Sequence, residues 1–374
     1  MHYFIFPEID TTLYQASGSG NTGLDEILEI QKTMSTSGGN VKVSRILMKF
    51  DLSEISSSIV NGTISSDRKF YLNMYDAGSE NLKVNQNIYA YPVSESWEEG
   101  HGFFEDNPTT TEGASWNYKD GQTNKTPWSG SSTEQQGGAW HEEVYASQSF
   151  KYESEDMRMD VTPIVNKWLD GTYSNNGFIV KRSGSFENVD TNVDEGNTER
   201  FGNFKFFSRQ THTIYPPKLE VEWYDTKWST GSLSALSSTE LEDMSVYMKT
   251  LRPEYKENSK IKFRLVGRAK YPTKSYSNTA SEYLTAKYLP SGSTSVEDGA
   301  YYSVLDAQTE DVIINYGTGS LVSCDSTGNY FNLWMNGLQS ERYYKFQFRV
   351  VSGSNTTEET IQHFDDDFVF KVVR

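Results

Sequence analysis

The chain has 374 residues, and 34 Lys and Arg against 51 Asp and Glu leave a formal net charge of −17. At roughly 100–200 residues per domain that length suggests two or three domains, and the acidity argues against a protein that wraps nucleic acid, whose phosphates need a surplus of cations. No apolar run approaches the roughly 18–20 residues of a membrane span, and the single cysteine, Cys324, excludes an intrachain disulfide and a cysteine-based zinc cluster.

Aromatic residues make up 14% of the chain and long Ala/Leu/Glu/Lys stretches are missing, so an all-β fold is expected. The start, Met1-His2-Tyr3-Phe4-Ile5-Phe6-Pro7, has no basic region followed by an apolar stretch; a protein made and retained in a cytoplasm is expected. Turn-bounded runs predict strands at residues 46–50, 70–75 and 87–91, then at 178–181, 204–208 and 219–223. Between these groups, residues 94–138 are rich in Gly, Ser, Thr, Asn and Trp without a regular period. A loop that long is functional or packed by its own side chains. One helix is predicted, with Thr162 as cap, Pro163 at its first position, Ile164, Val165, Trp168 and Leu169 on one face, and Gly171 at its end. Such a helix suits the end of a β-sandwich.

Residues 216–224 alternate like a final strand, and a polar stretch follows at 229–239. The charge divides at the same place. Residues 1–225 hold 18 Lys/Arg and 33 Asp/Glu, a net of −15, whereas residues 226–374 hold 16 and 18, a net of −2. The expected organisation is a domain over 1–225, a linker over 226–240 and a second domain over 241–374. In the latter, alternation at 260–265 and 344–350, with strands at 301–305, 312–316, 330–335 and 368–373, has the rhythm of an immunoglobulin-like sandwich.

Several short motifs follow one another in a specific order: Asp10-Thr11-Thr12-Leu13, Asn21-Thr22-Gly23, Phe50-Asp51-Leu52-Ser53 and Trp97-Glu98-Glu99-Gly100. Asp160-Val161-Thr162 with Trp168-Leu169-Asp170-Gly171, Asn175-Asn176-Gly177-Phe178, Phe207-Ser208-Arg209 and Pro217-Lys218-Leu219-Glu220-Val221 come after them. Together they resemble the DNRLRE family over about residues 8–225. The resemblance implies a jelly-roll β-sandwich with one short helix, related to carbohydrate-binding modules; residues 186–203 depart from it as an acidic insertion. That family usually sits on exported surface proteins, which the amino-terminal residues do not suggest. In the second part Leu338, six residues before Tyr344 and the alternating Phe346, Phe348 and Val350, is similar to the tyrosine corner of fibronectin type III domains, with Ser340 where Pro is usual.

A jelly roll joined to an Ig-like sandwich, without an export signal, resembles tailed-bacteriophage virion proteins, as do Tyr288-Leu289-Pro290, Tyr301-Tyr302-Ser303-Val304-Leu305-Asp306, Ser323-Cys324-Asp325 and Gly328-Asn329-Tyr330-Phe331. What this resemblance implies is a non-enzymatic structural protein of the head exterior, neck or tail, made in the host cytoplasm and located in the virion. It would contact other virion proteins as a symmetric or multi-copy oligomer, with no nucleic-acid partner and no membrane span. The alternative is a carbohydrate-binding module that attaches to host-surface glycan.

The residues offer little catalytic chemistry. His2, His101, His141, His212 and His363 fall in no metal-ligand spacing, although His101 and His141 lie near the acids Glu98, Glu99, Glu142 and Glu143. No nucleophile elbow, P-loop or Rossmann glycine pattern occurs, and the adjacent acids Glu98/Glu99, Glu142/Glu143 and Asp365-Asp366-Asp367 read as solvated loop residues; no enzyme is expected. Asp190-Thr191-Asn192-Val193-Asp194-Glu195-Gly196 begins like a calcium loop, but its Gly is one place late and Phe201 stands where the bidentate Glu belongs. An irregular Ca²⁺ site from Asp190, Asn192 and Asp194 is the alternative to a solvated acidic loop, and no other cofactor is expected.

Two features point to binding. Trp97, Trp116, Trp128 and Trp140 in the long loop either stack on sugar rings or, the favoured reading, pack the loop onto the sandwich or a neighbouring subunit. Between Lys249 and Lys274 nine cations face two acids, and Lys260, Lys262 and Arg264 share one face of an alternating strand. They either protect an edge strand or dock on an acidic surface, such as the first domain of a neighbouring copy.

Overall fold

A computed structural model describes the chain apart from residues 35–40, 83–84, 122–124, 130–135, 152–155, 183–194, 196–200, 250, 272–285, 293–297 and 354–358. The fold is all-β, built of curled, mainly antiparallel sheets paired as sandwiches. Two compact units are present, and neither is one continuous stretch of chain. The larger comprises Ile5–Val60 with Lys69–Glu220; the smaller comprises Met1–Phe4, Asn61–Arg68 and Val221–Arg374.

In the larger unit, one sheet runs in the order Gly202–Phe207, Ile27–Met34, Val41–Phe50, Phe178–Arg182, Gln86–Pro92 and Ala146–Phe150, with Pro7–Tyr14 also paired to Val41–Phe50. Facing it are Lys218–Glu222, Lys69–Met74 and Met157–Asp160, side by side in that order. Alternation decides which side chains meet between the sheets: Ile46 and Met48, Phe178 and Val180, and Ile88 and Ala90 are all fully buried. The strands predicted from sequence are present. Pro7–Tyr14, Ile27–Met34, Ala146–Phe150 and Met157–Asp160 add to them.

The predicted helix spans Thr162–Leu169, with Ile164, Val165 and Trp168 buried and Trp168 edge-on to Phe178 at 4.6 Å. Its cap differs from the expectation. Val161 is the N-cap residue, Asp160 Oδ1 accepts from the Thr162 N–H at 3.0 Å, and the Thr162 hydroxyl instead accepts from Phe70 N at 2.9 Å. The expectation of a single helix is also corrected. Ser53–Val60 forms a second one, Asp51 accepting from Ser53 N at 2.9 Å, although its Ser-rich sequence carries little helical preference and buries only Ile55.

The smaller unit has two further sheets. One runs Ser234–Ala235, Lys287–Tyr288, Lys260–Ala269, Gly328–Trp334 and Ser323–Asp325, with Met244–Met248 also on Lys260–Ala269. The other runs Glu254–Lys256, Val369–Val373, Arg342–Ser352, Gly299–Asp306 and Val312–Ile314, with Thr360–Phe364 also on Arg342–Ser352. Aromatic rings fill the space between them: Phe263 lies 5.2 Å from Phe331 and 4.9 Å from Phe346, which stacks on Phe370 at 4.8 Å. The tyrosine corner is present, the Tyr344 hydroxyl donating to Gln339 O at 2.9 Å.

Residues 226–240, polar enough to read as a linker, are built into this unit. Cys324 N donates to Lys227 O at 2.9 Å, Ser229 N to Cys324 O at 3.0 Å, and Ser237 and Glu240 cap the short helix Ser238–Glu242 reciprocally. The first residues belong here too. The Met1 ammonium donates to the carbonyls of Trp223, at 2.8 Å, and Gly319, and lies 3.1 Å from Asp225 Oδ1.

Candidate functional site

Strand register places Leu13, Arg45, Leu47, Ile179, Lys181, Tyr89 and Tyr91 on the outer face of the larger unit's bigger sheet. A face of this composition cannot stand in water at low cost, and the long loop covers it. Trp97, Trp116, Trp128 and Trp140, between 1% and 7% exposed, converge there on Leu13, Leu47 and Ile179 in one buried cluster. Trp97 Nε1 donates to Asn176 O at 2.9 Å and Trp128 Nε1 to Ser115 O at 3.0 Å, so each of these indoles satisfies its one donor. Of the two sequence readings of these tryptophans, their placement is that of packing; they offer no open ring face to a sugar.

The loop returns to the sheet at Gly137 and Gly138, which hold φ of +85° and +104°. A Cβ on Gly137 would sit 2.8 Å from both Arg45 Nη1 and the Trp116 ring, and one on Gly138 would sit 2.7 Å from Ile179. Only glycine meets both demands.

Within this layer lies an ion cluster. Arg45 donates through Nε to Glu195 Oε1 at 3.0 Å and through Nη2 to Oε2 at 2.6 Å, while its Nη1 donates to Gln136 O at 3.2 Å and Gly137 O at 2.8 Å. Lys181 Nζ is 3.6 Å from Glu195 Oε2. The Arg45 guanidinium lies 4.6 Å from the Trp116 ring and 5.0 Å from Trp140, and Lys181 Nζ lies 4.3 Å from Trp140. All three charged residues are buried, Lys181 completely. Burial pushes the Lys181 ammonium down to about 8 against the pull of Glu195. Burial alone would raise the Glu195 carboxyl, but Arg45 and Lys181 together hold it below its ordinary value. A planar guanidinium and an ammonium converging on one carboxylate, between indole faces, form an arrangement suited to binding an anion.

A second polar cluster gathers the residues of the sequence motifs. The Asn21 amide donates to Glu99 O (2.7 Å) and Ala114 O (2.8 Å) and accepts from Gly23 N (3.1 Å) and Gly102 N (2.8 Å), tying three loop segments together. Glu99, one of the adjacent acids noted above, accepts from Arg209 Nη2 at 2.9 Å, Gln210 Nε2 at 3.1 Å and Asp10 N at 3.1 Å. Asp10 Oδ2 accepts from Arg209 N at 2.7 Å, and burial, opposed by that bond, pushes its carboxyl up to about 7. These carboxylates hold loops in place.

In the smaller unit, Lys260–Ala269 pairs with Gly328–Trp334 through Lys260–Leu265 and on its other side with Met244–Met248 only through Leu265–Ala269. Among the described residues, Lys260 and Lys262 thus stand on a stretch with one paired side, where charges also protect an edge. Asp325 accepts from Lys262 Nζ at 2.8 Å and from Arg264 Nη1 and Nη2 at 2.6 and 2.8 Å. Arg264 first, and Lys262 after the opposing effect of burial, hold the Asp325 carboxyl far below the usual range. Lys262 also lies 3.6 Å from the Tyr330 ring, and the exposed Lys260 lies 5.2 Å from Trp334. Lys262 and Arg264 are thus already paired, whereas Lys260 projects from the same face toward solvent.

Of the histidines, His101 is 3.1 Å from Glu112, and His141 stacks on Tyr173 at 3.8 Å and 6°. Asp190, Asn192 and Asp194 lie outside the described residues. Glu195, at the end of that motif, is the residue the sequence reading passed over, and a signal for it exists. Arg45 interrupts the apolar run Val43-Ser44-Arg45-Ile46-Leu47, and Lys181 follows Phe178-Ile179-Val180; cations at such positions require a buried acid. No known family model matches the chain, and no curated protein matches it either.

Proposed function

We propose that this chain is a non-enzymatic structural protein of a tailed-bacteriophage virion, made in the host cytoplasm and present in several copies that act through protein–protein contacts. The observation that carries this reading is the outer face of the smaller unit's first sheet. On it Lys260, Lys262 and Arg264 alternate with Tyr330 and Trp334, and Tyr247, 40% exposed, joins them by register. The larger unit carries 17 Lys/Arg against 30 Asp/Glu, a net of −13, and supplies the complementary charge on a neighbouring copy. The motif order of the DNRLRE type and the joined Ig-like sandwich support the same reading.

Sedimentation of the wild type beside Lys260→Glu tests it. Lys260 stands outside the Asp325 pairs, so the variant keeps its fold and is expected to lose self-association. Wild type that stays monomeric at all concentrations, or a variant that assembles equally well, overturns the docking role. Electron microscopy of native particles then locates the protein, and its absence from virions rejects the wider reading.

A second reading, attachment to host-surface glycan, is favoured by a different group from the four tryptophans. Tyr145 is 53% exposed, with its ring 5.7 Å from Tyr89 on the covered sheet's outer face. Glycan-array binding lost in Tyr145→Ala would establish it; an empty array removes it.

A further inference from the structure

We propose that Arg45 and Lys181, walled by Trp116 and Trp140, form a carboxylate-binding site, and that Glu195 is an intramolecular ligand held in it. The two sides of the contact have different origins. Arg45 and Lys181 stand on neighbouring strands, Val41–Phe50 and Phe178–Arg182, whereas Glu195 belongs to the acidic insertion that follows them. The receptor side is organised by contacts that do not involve Glu195. Gln136 O and Gly137 O take Arg45 Nη1, Trp116 and Trp140 flank the guanidinium, and Trp140 lies beside Lys181 Nζ. Nε and Nη2 are thereby left side by side, the fork that receives both oxygens of one carboxylate, and Glu195 fills it with both of its own.

The electrostatics agree. Among the described residues two buried cations face one carboxylate, with Glu142 also acting on Lys181 and Arg182 on Glu195. Tyr91 is a further titratable side chain at this contact, its ring 6.0 Å from Lys181 Nζ. An apolar pair of equal volume would stabilise a sheet face as well or better. A site whose two cations are also held by contacts independent of the acid is therefore built around the acid and not around packing. Its ligand class is the carboxylate, and its effect is to fasten Glu195 to the sheet.

The test compares full-length wild type, Glu195→Ala and Glu195→Gln in thermal unfolding at pH 7, with sodium acetate or sodium chloride at equal ionic strength. Losing the partner of buried cations is expected to lower Tm by about 10 °C in both variants. Acetate should then raise the Tm of Glu195→Ala saturably, while leaving the wild type and Glu195→Gln, whose amide still fills the place, at their chloride values. Adding Lys181→Met to Glu195→Ala should weaken the acetate response at least tenfold in midpoint concentration. If Glu195→Ala does not fold unaided, refolding yield with acetate against chloride becomes the readout, with the same expectation. A Glu195→Ala protein as stable as wild type, or one that responds to acetate no more than wild type does, overturns the proposal.

Discussion

At the scale of single residues, the strongest constraints fall on polar side chains that are buried and fully used. Asn21 makes four hydrogen bonds to backbone groups of three segments, so Asn21→Ala leaves several buried donors and acceptors unmatched. A loss of about 2–4 kcal/mol in urea unfolding is expected. Asp10 allows a pH prediction. Its carboxyl is raised to about 7 in the folded chain, so the folded state binds a proton that the unfolded state releases near its ordinary value. The stability this confers is complete at low pH and disappears as the pH rises through about 7, a change of about 4 kcal/mol. Asp10→Asn keeps an acceptor for Arg209 N and lacks the titration. Its stability should fall less than that of wild type between pH 5 and 8.5, the smaller shift of Asp25 in the same direction remaining in both proteins. Asn21 and Asp10 were visible in the sequence as motif members, but not as partners. Apart from the Asn21–Gly23 turn, their contacts lie 78 to 199 residues away, and no local pattern encodes that distance.

At the scale of elements, the strands legible in the sequence were those with Phe, Tyr, Ile or Val at alternate positions, such as Lys260–Ala269 and Arg342–Ser352. Pro7–Tyr14 was missed because Asp10, Thr11 and Thr12, all buried, break the apolar alternation while finding hydrogen-bond partners across the fold. The long loop was legible only in its composition. Its tryptophans announced a buried layer, but the sheet face that receives them comes from strands before and after it in sequence. Trp128, 1% exposed at the centre of that layer, gives the third prediction. Trp128→Ala should cost about 3–5 kcal/mol, and proteolysis of the 94–140 region should accelerate while the inter-sheet core of the larger unit persists by circular dichroism. Equal loop cleavage in variant and wild type would contradict the packing role.

At the scale of the whole molecule, charge is the property that sequence alone divided most usefully, because a count by segment needs no coordinates. The units hold −13 and −4, and contact between copies that relies on this difference is screened by salt. Self-association should therefore be strongest at low ionic strength and largely gone at about 1 M NaCl, where the Debye length is about 3 Å. Association that strengthens with salt would point to an apolar contact instead. Composition placed a boundary near residue 226, but a scan along the chain has no means of assigning Met1–Phe4 or Asn61–Arg68 to a unit whose remainder begins at Val221.

That discontinuity bears on the order of folding. The chain passes between units four times, after Phe4, Val60, Arg68 and Glu220. During synthesis the larger unit has all of its residues once Glu220 has left the ribosome, and it can close while translation continues. Met1–Phe4 emerge before the larger unit, yet the carbonyls that receive the Met1 ammonium, at Trp223 and Gly319, emerge after it, and Asn336, which donates to Phe4 O at 2.6 Å, later still. The smaller sandwich therefore matures after the larger one, around a strand that has waited while the larger unit was made. The finished larger unit becomes, in effect, an insertion into a domain that did not yet exist when that unit folded.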